Sequence, residues 1–118
     1  MDQHKESDLG QLTTRQLRSR RRRLAHGLTD WEAVLRGSLV SQHRRCGKEG
    51  CRCSRGELHG PYTYVSLPGA AGAARLRYLP AALVAAVGGH LAATAAIDAG
   101  LAEISAINTE LLARRELD

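Results

Sequence analysis

The chain is 118 residues long and carries a formal net charge of +5, with 17 Lys+Arg against 12 Asp+Glu. It contains one Trp, three Tyr and no Phe, so the side chains that give the largest single burials are almost missing and the core must be thin. This length fits one domain, and a core so poor in aromatics calls for a metal, another staple or a partner.

The charge is unevenly placed. Residues 1–60 hold 13 basic and 7 acidic side chains, whereas residues 61–118 hold 4 and 5. An N-terminal excess of this kind points to a polyanionic partner. The opening "MDQHKESD" is polar and lacks the apolar run of a signal peptide. The expected location is therefore the cytoplasm, where thiols stay reduced.

In chain order, residues 1–12 read as a flexible tail. Thr13-x-x-Gln16 is a capping box, and the basic helical segment, residues 13–36, starts there. Its first helix should run to about His26 and stop at Gly27. "TDWE" at residues 29–32 is a second box, opening a short turn with Trp31, Val34 and Leu35. Residues 37–80 form the next segment. "GSLVSQHRR" reads as a strand leading into the cysteines. "YTYVSL" alternates, with Tyr62, Tyr64 and Ser66 on one face and Thr63, Val65 and Leu67 on the other. After the Gly-rich turn, "RLRYL" is a return strand, which completes a three-stranded antiparallel meander. Tyr62, Tyr64 and Tyr78 could stack on bases as single-strand binders do, but strand tyrosines are more often the core of a small sheet and are read so here.

Pro80 sits where a first helical residue is favoured, and residues 81–118 form a long C-terminal helix. Leu83, Val87, Thr94, Ile97, Leu101, Ile104, Asn108 and Leu111 recur at helical spacing, close to a coiled-coil seam. A break is expected near Gly88 and Gly89. The stripe needs cover, so a homodimer or a helix-mediated protein partner is expected. Residues 80–97 are mostly Ala and Gly, with His90 and Thr94 among them, and read as a packing helix with no membrane role. The fold class is α+β. It is a small zinc-stapled meander flanked by a basic N-terminal helix and the long C-terminal helix, all one domain.

All three cysteines fall within eight residues, spaced Cys46-x4-Cys51-x-Cys53-x5-His59. Three thiols and an imidazole are the ligands that Zn2+ prefers, and four is the number a closed tetrahedral site needs. A disulfide between Cys51 and Cys53 would close a cramped ring, and the Cys-x-x-Cys spacing of redox pairs is absent. An iron–sulfur cluster with His59 as fourth ligand is a rarer arrangement, and iron or cobalt could occupy the same ligands. The expected cofactor is one structural Zn2+ held by Cys46, Cys51, Cys53 and His59. With no coordination position left open, the metal would contribute to folding and not to catalysis.

The stretch "GSLVSQHRRCGKEGCRCSRGELHGPYTYVSL", followed by "RLRYLP", resembles a bacterial family classed as a domain of unknown function. The pattern is Gly-Ser-Leu, a basic run, CGK-x-x-CxC, a short loop, HGPY and a strand pair. Cys46, Gly47, Lys48, Cys51, Cys53, His59, Gly60, Pro61 and Tyr62 all fall in register with it, and the resemblance covers about residues 37–80. It supports the metal site and implies a setting near the transposases and recombinases of mobile elements.

No nucleophile, acid–base pair, phosphate loop or dinucleotide fingerprint is visible, so the chain is expected not to be an enzyme. The arginine run offers Arg15, Arg18, Arg20, Arg21, Arg22 and Arg23 as a cationic helix surface. Adjacent like charges repel, and that cost suggests a phosphate counter-charge. Arg44, Arg45, Lys48, Arg52 and Arg55 extend the basic set across the metal loop, and Arg75 and Arg77 across the hairpin. The expected function is a zinc-binding accessory protein that holds nucleic acid, DNA first, for a mobile-element recombinase or transposase. The alternative is a protein–protein adaptor that uses the C-terminal helix.

Overall fold

The computed structural model describes residues 8–52 and 56–118. Thr13 caps the first helix, α1 (Thr14–Gly27). The Gln16 amide donates to the Thr13 hydroxyl at 3.1 Å, and the Thr13 amide donates to the Gln16 carboxamide at 2.9 Å. Both donors would otherwise lack a partner within the helix. A single 3-10 turn follows at Trp31–Ala33. Strands β1 (Ser38–Arg44), β2 (His59–Pro68) and β3 (Ala74–Tyr78) come next, and α2 (Ala81–Ala113) closes the chain. The sheet is antiparallel throughout with β2 central. The α+β class and the meander order both match the sequence reading.

These elements form two compact units. One joins the chain up to Ala33 with Ala93–Asp118; the other is Val34–Ala92. In the first, Leu9, Leu17, Ile107 and Leu111 make a buried cluster, with Leu12, Leu24 and Ala106 packed against it. Each large aliphatic side chain removed from water here stabilises the fold by about 1.5–3 kcal/mol. Leu9 belongs to a helical turn at residues 8–11, so order begins earlier than the tail expected over residues 1–12, of which residues 1–7 lie outside the described part. Arg114 fixes that turn by donating to the carbonyl oxygens of Leu9 and Gly10 at 3.2 and 3.3 Å while pairing with Glu110 at 2.8 Å.

The long helix departs from the expected seam in two ways. It runs unbroken through Gly88 and Gly89; the alanines around them, the best helix formers, offset a cost of about 1 kcal/mol per glycine. Its buried positions are Thr94, Ile97, Ile107 and Leu111, whereas Leu83 and Leu101, placed in the stripe by periodicity, are 50% and 44% exposed. The inward face follows Ile97, Gly100, Ile104, Ile107 and Leu111, alternating steps of three and four. Gly100 sits on it because a Cβ there would stand 2.5 Å from Leu28 Cδ2. An 18-residue window of α2 has mean hydropathy 1.5 and is 11% buried, so by length and composition alone the helix could cross a membrane.

The arginines of α1 find counter-charges within their own unit. Arg20 pairs with Glu103 at 3.6 Å, and Arg21 donates to Asn108 at 2.7 Å and to Asp118 at 2.9 Å. Arg18 donates to the Glu116 carbonyl oxygen at 2.8 Å and lies 3.8 Å from Asp118. The hydrogen bond from Arg21 holds the Asp118 carboxyl below its ordinary range. Arg15, Arg22 and Arg23 are exposed. The counter-charge that the arginine run demands is thus met, for three of the six, by the chain itself.

Ile107 is fully buried, and truncating it leaves a void that its neighbours fill only in part. Ile107→Ala is expected to destabilise the protein by about 2–5 kcal/mol, read as a lower denaturant midpoint. A midpoint unchanged from the parent would show that the cluster of Leu9, Leu17, Ile107 and Leu111 is not the core of this unit.

Candidate metal centre

Cys46 follows the end of β1 by two residues, and His59 opens β2. Between them the Cys51 amide donates to the Lys48 carbonyl oxygen, and the Glu57 amide to that of Arg52, so the loop folds back on itself twice. Where β1 meets β2, Gln42 stands opposite Tyr62 and Arg44 opposite His59. Two residues, Gly60 and Pro61, therefore face the single His43. Such a bulge shifts every residue beyond it to the other face of the strand. Strict alternation back from Tyr62 would put His59 on the face opposite the tyrosines, and the extra residue brings it onto theirs. Gly60 is required at this point: its φ is +124°, and a Cβ would come within 2.9 Å of the Gln42 carbonyl oxygen. The Gly60–Pro61 peptide is cis.

The outcome is a cluster of Cys46, Cys51 and His59, half-buried, with ligand atoms within 4.8 Å of one another. Cys51 Sγ lies 3.0 Å from His59 Nε2, and Cys46 and Cys51 keep their thiols. Tetrahedral Zn2+ with ordinary Zn–S and Zn–N bonds would set its ligand atoms about 3.6–3.8 Å apart, a separation this cluster can reach by small side-chain adjustments. The three side chains lie close enough together that they could hold a metal ion. Cys53 and Arg55, the fourth ligand and one of the cations expected from the sequence, lie outside the described residues.

Beside the cluster is an open cleft of about 340 Å³ lined by Arg44, Arg45, Cys46, His59, Tyr62, Tyr64 and Tyr78. The Arg44 guanidinium lies over the Tyr64 ring, 4.9 Å from its centroid. Tyr64 is buried, which fits a sheet-core role, but Tyr78 is 53% exposed and does not. The reason is its place on β3, an edge strand with every residue exposed. Alternation alone groups Tyr62 with Tyr64; the sequence reading missed that His59 joins them, because that depends on the bulge, for which the Gly-Pro step before Tyr62 is the one available sign.

The other expected cations are spread out. Lys48 and Arg52 are exposed on the loop, and Arg75 and Arg77 on β3. Arg75 and Arg77 pair in register with Leu67 and Val65, which puts them on the sheet face opposite Tyr78. Among the described residues, none of Arg44, Arg45, Lys48, Arg52, Arg75 and Arg77 forms an ion pair with a carboxylate.

A three-stranded meander with a Cys/Cys/His cluster at one end, preceded by a basic helix, defines a small α+β module with a candidate metal centre. The chain belongs to the family described as a domain of unknown function, DUF6788, whose model matches residues 14–87. That match reaches beyond the motif-bearing residues 37–80 to take in all of α1 and the first turns of α2. No curated protein and no solved structure matches the chain.

Under reducing conditions the protein is expected to take up about one equivalent of Co2+ or Zn2+, and Cys51→Ser and His59→Ala should each lower that affinity at least tenfold. Cobalt absorption in the thiolate region is the readout. A wild-type chain that binds neither ion rules out the metal centre.

Proposed function

We propose that this protein is a non-enzymatic module in which one structural Zn2+, held by Cys46, Cys51 and His59 with Cys53 as fourth ligand, fixes a β unit that binds nucleic acid through phosphate contacts. The observation that carries this reading is the distribution of charge between the two units. Val34–Ala92 contains eight Lys+Arg and two Asp+Glu, a net +6, while the rest of the chain contains nine and ten, a net −1. In the arginine helix Arg18, Arg20 and Arg21 are engaged by the chain itself while Arg15, Arg22 and Arg23 are exposed, and the larger net positive charge lies with the β unit. Phosphate binding by such a surface releases counterions and gives a steep salt dependence.

Zn2+ suits the ligands because thiolate and imidazole together favour a borderline-soft ion. In a unit whose buried large side chains are few, among them Tyr64, Val65 and Leu79, ligand closure would supply much of the folding free energy. Action in the cytoplasm would keep the thiols reduced. Service to a recombinase or transposase rests on the resemblance of residues 37–80 alone. A second reading, an adaptor that recruits a protein through α2, is favoured by the exposure of Leu83, Leu101 and Leu112 at 50%, 44% and 62%.

The test is fluorescence anisotropy of metal-loaded protein with labelled duplex DNA, from about 50 to 200 mM salt. Affinity should fall steeply, and converting Arg75 and Arg77 to Ala should reduce the slope of log K against log salt by about two. Converting Arg18 and Arg21 to Ala should leave that slope unchanged, since both are engaged within the chain. No binding of any nucleic acid at the lowest salt would overturn the reading and leave the adaptor.

A further inference from the structure

We propose that the cleft beside the metal cluster is a docking pocket for an unpaired nucleotide, so that the nucleic acid bound here is single-stranded where it meets the sheet. This rests on the nucleic-acid reading above and names the form of ligand and its site. Three observations converge on one place. Tyr78 lies at the cleft, 53% exposed, and its ring is oriented by T-shaped contacts to Tyr64 and Tyr62, with centroids 5.7 and 6.5 Å away. Arg44 is held over Tyr64 by a cation–π contact, and Arg45 lies beside it, so two cations line the same cleft. The cleft, at about 340 Å³, falls within the range of small-ligand pockets.

An oriented, half-exposed aromatic ring near the Arg44 guanidinium, with Arg45 in the same lining, matches the two parts of a nucleotide. The base stacks on the π-face, and the phosphates meet the arginines. Base pairs inside a duplex are already stacked and cannot reach the ring, so the occupant must be unpaired. A cation such as a methylated lysine, the usual guest of tyrosine cages, would be repelled by Arg44 and Arg45. An apolar peptide would leave both guanidinium groups without a counter-charge. Cys46 and His59 form part of the wall, so the metal cluster fixes the shape of the pocket as well as the loop.

The experiment compares metal-loaded protein binding to labelled oligo-dT, oligo-rU and a duplex of equal length at low salt. Single strands should bind more tightly than the duplex, and the difference between dT and rU reads out any contact to the ribose hydroxyl. Tyr78→Leu should weaken single-strand binding about tenfold or more, with duplex binding unchanged, while Tyr78→Phe should bind like the parent. Equal loss on both forms, or no loss on either, overturns the pocket and leaves phosphate binding standing. Failure to bind any strand overturns both. Should Tyr78→Leu lose metal or fail to fold, wild-type protein is photocrosslinked to a 5-iodouracil strand. Crosslinks at Tyr62 or Tyr78 support the pocket, and crosslinks confined to residues outside the cleft overturn it.

Discussion

One lost step in the β1–β2 ladder sets everything at the functional end of the sheet. With Gly60 and Pro61 facing His43 alone, His59 emerges on the same face as Tyr62 and Tyr64, within reach of Cys46 and Cys51. Without the bulge the imidazole would point to the face of Val65 and Leu67, and the thiols would lack their nitrogen partner. A glycine at φ +124° with no room for a Cβ permits this irregularity, which any side chain would obstruct. The chemistry of the site therefore hangs on the backbone geometry of Gly60, the residue next to the ligand His59.

The arginine run shows how charge can mislead when only its density is read. Arg18, Arg20 and Arg21 reach carboxylates and carbonyl groups contributed by the end of α2 and the residues after it. These side chains are partly exposed, and each ion pair is worth about 0–1 kcal/mol, so their main effect is to use up positive charge rather than to hold the helices together. The packing of Leu17, Ile107 and Leu111 does that. The β unit has few carboxylates and keeps its charge available.

Much of this was legible in the sequence because the signals were local. The Thr13–Gln16 capping box, the alternation of residues 62–67 and the Gly-rich turn each span fewer than eight positions, and each predicted its element. The cysteine and histidine spacing grouped four ligands, and the structure brings three of them, Cys46, Cys51 and His59, together in space, Cys53 lying outside the described residues. What escaped was non-local or carried by a residue with no side chain. The partners of Arg18, Arg20 and Arg21 lie more than 80 positions away. The inward face of α2 passes through Gly100, which no hydrophobic pattern counts, so the stripe was drawn through Leu101 instead. His59 joins the tyrosine face only through the bulge, and strand alternation by itself argues against that.

The sheet has an open edge, and its residues bear on solubility as well as on recognition. All of β3 is exposed and only one of its sides is paired, which leaves a row of backbone donors and acceptors able to template another strand. Two features discourage that: Arg75 and Arg77 make a stacked copy repel its neighbour, and Pro80 ends the strand without a donor. The cations proposed to meet phosphates would thus also act as gatekeepers against self-association, and a chain that lost them would gain a tendency to aggregate through its edge.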